Sequence, residues 1–574
     1  MTVAVFSPTA ALCVLPAGPW ARPGSGLPEP SFPDPGSVST SPCGRSVSCV
    51  RGGDSPVFHL DREPEMTREA PRGCVKNGSA PLVWGAFLLI LLCRIPVARA
   101  DPWASPGEVG VRNDIEILVD SGVIDIPVTT WPIPWGSVAH ALRRVHPGTL
   151  SPLEREAYDE LERHIERVEG GGNHLGYKVA LAPGRPSMNW FGQTTRGKEE
   201  AGVSDSGTAG ILAYRLNVLG VYGSRDHQRG RLDGSYLALA LGNWIVSAGE
   251  VNQWWGPGWG GSLILGDNSR PPLGVSLTRD VPYRFRTPWL SWLGPWTISF
   301  FNDRLDEATA IAHPWLFGER FAFRPFRSLE IGFFRTAIWG GAGQPQGFGG
   351  FSQILFFHPT GYGSLVGDNR AGADFRWSFS LAGQHFTFYN QDLAEGLAHE
   401  LGGLLFIHDF IGQAGLSTWG PIGNDGGSYR AFLEYANTTT GFLSTQGLFY
   451  DVAYQSGIYL NGYRYRGVVL GYPTDSDSEL WTGGLMLEGL NGGILTFLIR
   501  HGTLNLGNVQ TPPDEGNTYA PVRTAFDEFD VYFRPAFWGR ALELGLGVTR
   551  WAPTGLPVEI SPDAFVGWEV NFRE

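Results

Sequence analysis

Three tryptophans, Trp254, Trp255 and Trp259, stand within six residues and are followed closely by Asp267, Asn268 and Arg270. Gly256-Pro257-Gly258 interrupts them and cannot continue a helix or a regular strand, so the rings sit on a turn or irregular loop. Large apolar rings beside a carboxylate, an amide and a guanidinium are suited to sugars: the rings cover apolar sugar faces and the polar groups fix hydroxyls or carboxylates. The same ring density fits the aromatic girdle of a membrane protein. A third reading has the loop fold inward and pack on the helical segment that precedes it. The sequence leaves all three open.

Other chemistry is weaker. Gly256 to Gly261 formally matches G-x-G-x-x-G, but Pro257 and Trp259 lie inside it and no βαβ pattern surrounds it. His399-Glu400 lacks the second histidine of a zinc-protease helix. His408-Asp409 and His501 fall in alternating segments and read as lumen or interface residues, not catalysts. Neither a G-x-S-x-G elbow nor a phosphate-binding loop occurs. A glycosidase-like carboxylate pair is left open, because sequence does not give separations. We assign no catalytic residue, metal ligand or cofactor.

The elements that must hold the tryptophan loop follow from composition and periodicity. The chain has 79 Gly, 34 Phe, 21 Trp and 18 Tyr, with few charges for its 574 residues. That balance suits many strands joined by tight turns, with aromatic girdles at a membrane surface. Residues 80–92 form the one long apolar run, too short for a comfortable membrane helix. Arg68, Arg72 and Lys76 precede it and Val97-Ala98-Arg99-Ala100 follows, so residues 66–100 read as a signal peptide with the mature chain starting at Asp101. Residues 1–65 are rich in Pro, Gly and Ser and lie upstream of that signal, which marks them as a disordered or mis-annotated extension, with Met66 as the expected start.

All five cysteines precede residue 100, so the mature chain has no disulfide, Cys–zinc site or thiol nucleophile. It carries 34 basic and 49 acidic residues, a net −15 that speaks against nucleic acid as a partner.

Residues 101–172 have helical periodicity. Arg112–Ser121 and Ser137–Val145 are expected helices, and Ser151-Pro152-Leu153-Glu154 is a capping box opening a third. From about Leu175 the period becomes two. Phe375, Trp377, Phe379 and Leu381 alternate with Asp374, Arg376, Ser378 and Ser380, and Leu542 to Val548 behave alike. About 400 residues at roughly 22 per strand and connection give on the order of 16–18 strands. The last of them, Val566, Trp568, Val570 and Phe572 against smaller or polar neighbours, closes on an aromatic residue. We expect an outer-membrane antiparallel β-barrel over 173–574, with 101–172 as a helical plug on its periplasmic side.

The chain also resembles the Wzi capsule-assembly family. The resemblance rests on Trp255-Gly256-Pro257-Gly258 with Ser262-Leu263-Ile264-Leu265, Asn268, Arg270 and Pro271. It extends to Arg112-Asn113-Asp114 through Leu118, Gly122, Ile124 and Thr130-Trp131-Pro132, and to Leu293-Gly294-Pro295-Trp296. It implies an 18-stranded barrel closed by a small helical bundle, which binds capsular polysaccharide at the cell surface without enzymatic activity. Capsular or exopolysaccharide and outer-membrane lipids are then the expected partners, with polysaccharide export machinery as a further one. The alternative function is an outer-membrane channel, porin-like or a polysaccharide conduit. A barrel hydrolase or acyltransferase is a third, for which the sequence offers no triad.

Overall fold

The computed structural model describes residues 101–573 except 171–172, 185–187, 193–194, 308, 357–366, 396–409, 424–426, 442–447, 490–491, 510–515 and 537–540. The expectations for residues 1–65 and 66–100, and for His399-Glu400 and His408-Asp409, lie outside the described residues.

Alternating apolar and small or polar side chains fold as a closed antiparallel barrel of eighteen strands among the described residues. In chain order, β1 to β6 are His174–Leu181, Glu199–Ala209, Leu212–Tyr222, Tyr236–Leu241, Trp244–Gly249 and Leu273–Arg279. Pro295–Arg304, Trp315–Phe326, Leu329–Trp339, Asp368–Leu381, Gln384–Glu395 and Phe410–Ile422 form β7 to β12. Gly427–Asn437, Glu479–Glu488, Ile494–Leu504, Thr524–Arg534, Leu542–Pro553 and Glu559–Arg573 are β13 to β18. Two short segments, Gly230–Arg231 and Tyr283–Arg284, add pairing beside β3 and β7. Closure comes from β18 on β1, with Val566 opposite Leu181 and Arg573 opposite His174. Every strand then has two neighbours, which removes the edges a bilayer would not tolerate.

Tight turns such as Gly210-Ile211, Gly242-Asn243 and Ala382-Gly383 lie at one end, with both ends of the barrel segment. Residues 250–272, 340–367 and 438–478 form long connections at the other. Short turns mark the periplasmic rim and long loops the outer one. The apolar alternation points outward: Val179, Leu237, Phe333, Trp377, Leu416, Leu546 and Trp568 are exposed on the wall. Trp289 and Trp292 are exposed in the connection between β6 and β7 at the short-turn rim. His501 lies on the outer face of β15, where its Nδ1 stands 2.7 Å from Asp527.

Ahead of the barrel, α1 spans Val109–Asp120, α2 Trp135–Leu142 and α3 Pro152–Glu169. The capping box holds: Ser151 N donates to Glu154 at 2.8 Å, and Glu154 N to the Ser151 hydroxyl at 3.4 Å. Periodicity gave α1 one apolar side, yet Arg112, Asn113, Asp114 and Glu116 are buried as well. Its polar side faces a polar lumen instead of water. Glu116 meets Arg376 at 3.1 Å and Arg430 at 3.2 Å, and Asn113 accepts from Arg430 at 2.8 Å. Asp120 accepts from Arg376, Ser378 and Thr387 on β10 and β11. The helical region is thereby fixed to the wall by charge-assisted hydrogen bonds.

A later helix, α4, spans Gly347–Leu355 in the connection between β9 and β10.

Candidate functional site

The tryptophan loop turns into the barrel. Trp254 and Trp255 form a two-residue antiparallel ladder with Trp131 and Thr130 of the helical region, and Gly256 N donates to Thr129 O at 3.0 Å. Glu330 on β9 anchors that strip from behind, accepting from Val128 N, Thr129 N and the Thr129 hydroxyl at 2.6–3.0 Å. Beyond the ladder, Glu434 on β13 accepts from Trp259 N at 2.6 Å and Gly260 N at 2.8 Å. Gln391 on β11 accepts from Leu263 N at 2.8 Å and donates to Trp255 O at 2.7 Å.

These approaches explain the glycines. Gly256 has φ of 147°, and a Cβ there would stand 2.7 Å from the Gln391 amide. At Gly258 a Cβ would be 2.4 Å from both Gln413 and the Gly261 carbonyl. Only a side chain without Cβ lets the backbone come this close.

The rings are covered. Trp254, Trp255 and Trp259 are 1%, 0% and 1% exposed. Phe191 meets Trp254 at 5.4 Å and Trp259 at 5.6 Å, while Phe301 meets Trp255 at 5.2 Å. In this structure the three tryptophans join the helical region to the barrel wall, which is the inward packing among the three readings of the sequence.

A second loop covers the first. Residues 438–478 bring Tyr454, whose hydroxyl donates to Leu263 O at 2.7 Å, and Leu470, whose carbonyl accepts from Gly266 N at 2.9 Å. Asn268 Nδ2 donates to Gly471 O at 2.7 Å.

The polar members of the candidate set divide. Asp267 is buried, paired with Arg196, and its carbonyl accepts from Asn189 at 2.7 Å. Burial pushes its carboxyl up to about 6, with Arg196 opposing and Asp233 reinforcing the rise. Asn268 and Arg270 instead line a cleft among the loops at the long-loop end, with Arg196, Arg225, Asp226, Arg231 and Tyr519. Acids behind the cleft hold the arginines: Asp233 lies 3.1 Å from Arg270 and 3.4 Å from Arg196, and Glu250 accepts from Arg270 at 2.8 Å. Arg225 stands over the Tyr519 ring at 4.6 Å. Fixed guanidinium forks, an amide and an aromatic ring at one opening can grip sugar hydroxyls and cover a sugar face.

Sequence reasoning missed Arg196, Arg225 and Arg231. The signal was the local run Arg225-Asp-His-Gln-Arg-Gly-Arg231, basic within an acidic chain. Among the described residues no group of three or more His, Cys, Asp or Glu side chains is placed to hold a metal ion.

Comparisons with known proteins agree with this geometry. Residues 178–555 match the family model described as capsule assembly protein Wzi. A Klebsiella pneumoniae protein, described as an uncharacterized 55.8 kDa protein in the cps region, is 32% identical over 353 residues, which are 60% of this chain and 69% of that one. The solved structure of Wzi from Escherichia coli, described as an outer-membrane protein involved in group 1 capsule assembly and a carbohydrate-binding β-barrel, superposes with a TM-score of 0.70. It is 24% identical, and the alignment covers 83% of this chain and 100% of that one. With two thirds of its length matching one family model, the chain belongs to the Wzi capsule-assembly family and is an outer-membrane β-barrel.

Proposed function

We propose that this protein binds the surface polysaccharide of its own cell and takes part in assembling or attaching it as a capsule or exopolysaccharide layer, without catalysing a reaction. The observation that carries this reading is the cleft of Asn268, Arg270, Arg196, Arg225, Arg231 and Tyr519, set above a lumen filled by the helical region and two inward loops. The carbohydrate binding described for the Escherichia coli relative supports it.

In this reading the six residues singled out in the sequence have two roles. Asn268 and Arg270 touch the glycan. Trp254, Trp255, Trp259 and Asp267 act from beneath, fixing the loop and Arg196 so that the cleft exists before the ligand arrives. Preformed donors need no ordering on binding, which favours affinity. Outer-membrane lipids surround the wall, and the periplasmic face of the helical region is where polysaccharide export machinery would meet the barrel.

The test is a pull-down of the producing strain's purified surface polysaccharide, paired with inspection of the surface layer in a deletion strain. Binding together with a detached or reduced layer supports the reading. No binding with an intact layer overturns it.

A further inference from the structure

The outer wall carries a charged pair on its lipid side. On β8, Arg320 faces the lumen and donates to the Thr130 hydroxyl of the helical region at 2.8 Å. Strand alternation therefore turns Phe317, Glu319, Phe321 and Phe323 outward. On β9, Phe334 belongs to the luminal core with Trp255 and Leu263, so Phe333, Arg335 and Ala337 face out. Glu319 and Arg335 stand directly opposite in register and pair at 3.1 Å. Below them the same face is apolar and exposed, with Phe333 on β9 and Trp377 on β10 among its side chains.

The arginine of this pair is covered by α4, while Glu319 stays partly exposed. Arg335 NH2 donates to Ile354 O at 2.9 Å, near the C-terminal end of that helix, and to Asn369 Oδ1 at 2.9 Å. Ile354 packs with Phe317, Ala337 and Trp339. The Phe351 ring lies 5.9 Å from Phe317 and 5.8 Å from Trp339. A Cβ on Gly350 would stand 3.0 Å from Pro345 O and 3.4 Å from the Trp339 ring, so the missing side chain seats the helix on the wall. The helix therefore lies on the outside of the barrel, at the long-loop end. Away from the wall it presents Phe348, 85% exposed, and Phe356, just beyond its end, is 64% exposed.

A phenylalanine this bare is costly in water, and an ion pair this close to the apolar belt is costly against acyl chains. One placement relieves both. We propose that α4 is a membrane-interface anchor, which screens Arg335 from lipid and inserts Phe348 and the adjoining Phe356 among the acyl chains at the outer edge of the apolar belt. The occupant is lipid because the helix continues the outward apolar face of β8 to β10 and covers the Arg335 guanidinium on that face.

With the five cysteines, all before residue 100, replaced by serine, a single spin label can be placed by Phe348→Cys, at a side chain that makes little contact with the fold. The labelled protein is reconstituted in vesicles of palmitoyl-oleoyl-phosphatidylcholine, with Arg155→Cys on the exposed part of α3 as the aqueous reference. The expected result is that oxygen relaxes the label at 348 at least fivefold more, relative to a water-soluble nickel chelate, than the label at 155. Nickel access equal to that at 155 overturns the proposal. So does a label shielded from both reagents, which would mean that protein, such as a second copy, covers the helix.

Discussion

The guanidinium of Arg112 lies 3.9 Å from the centre of the Trp259 ring, and its NH1 and NH2 donate to the carbonyls of Gly258 and Pro257 at 2.9 and 2.6 Å. One side chain of the helical region thus holds the turn that carries the tryptophans. Replacing Arg112 by Met keeps the bulk and removes two charge-assisted bonds, a cation–π contact and one partner of Glu116. The expected loss of stability is about 3 kcal/mol or more, by the usual cost of breaking a buried ion pair. Thermal unfolding followed by circular dichroism measures it, and an unchanged midpoint would remove Arg112 from this role.

Glu116 sets the acid limit of the helical region. Burial raises its carboxyl, but Arg376, Arg112 and Arg430 together outweigh burial and hold it at about 2, below the ordinary 4.5. A depressed carboxyl gives stability that is complete above pH 4.5 and is lost as pH falls through 2. By linkage the Glu116 contribution is on the order of 3 kcal/mol at neutral pH. Glu116→Gln is therefore expected to unfold more easily than wild type at pH 7 and to differ far less at pH 2. A constant gap across that range in denaturant titrations would contradict the assignment.

Asp477, in the loop that covers the tryptophan turn, has the opposite sign. Burial and the neighbouring Asp451 push its carboxyl up to about 7, with a hydrogen bond from Asp451 N only partly opposing. Its stability contribution is complete below about pH 4 and is lost as pH rises through 7. Asp477→Asn is expected to match wild type at pH 4.5 and to gain on the order of 2–4 kcal/mol at pH 8.5. A destabilised Asn variant at pH 8.5 would show that the ionised carboxylate is needed there.

With the lumen filled from both ends, wild-type protein in a planar bilayer is expected to be nearly silent. Deleting residues 101–172 removes α1 and the Glu330-anchored strip, and steps of porin-like conductance are expected. Conductance of the intact protein from the outset would favour a channel.

Much of this architecture was legible in the sequence, because strand alternation and the capping box are local patterns. The alternating strands, the outward Phe375–Leu381 face and the start of α3 all depend on near neighbours, whereas length alone bounded the strand count at about 16–18 and the family resemblance supplied eighteen. The direction of the tryptophan loop was not legible. It depends on Glu434 and Gln391, which lie more than 120 residues downstream and look like any luminal polar residue. The burial of Asn113 and Glu116 was hidden for the same reason, since Arg376 and Arg430 supply their partners. The cleft is assembled from arginines on separate segments: Arg270 stood beside the tryptophans, Arg225 and Arg231 left a local trace, and Arg196 left none. Residues 396–409, which hold two of the histidine motifs, lie outside the described residues.

The most direct measurement is a titration of purified surface polysaccharide from the producing strain into wild-type protein and three variants. Arg225→Gln and Asn268→Ala alter the cleft, while Trp259→Phe alters the packing beneath it. Saturable binding to wild type is expected, weakened about tenfold by each cleft variant through the loss of roughly 1.4 kcal/mol of hydrogen bonding. Folded Trp259→Phe should bind within a few-fold of wild type. Full binding by both cleft variants, with binding abolished in a folded Trp259→Phe protein, would contradict the account and return the glycan to the tryptophan rings.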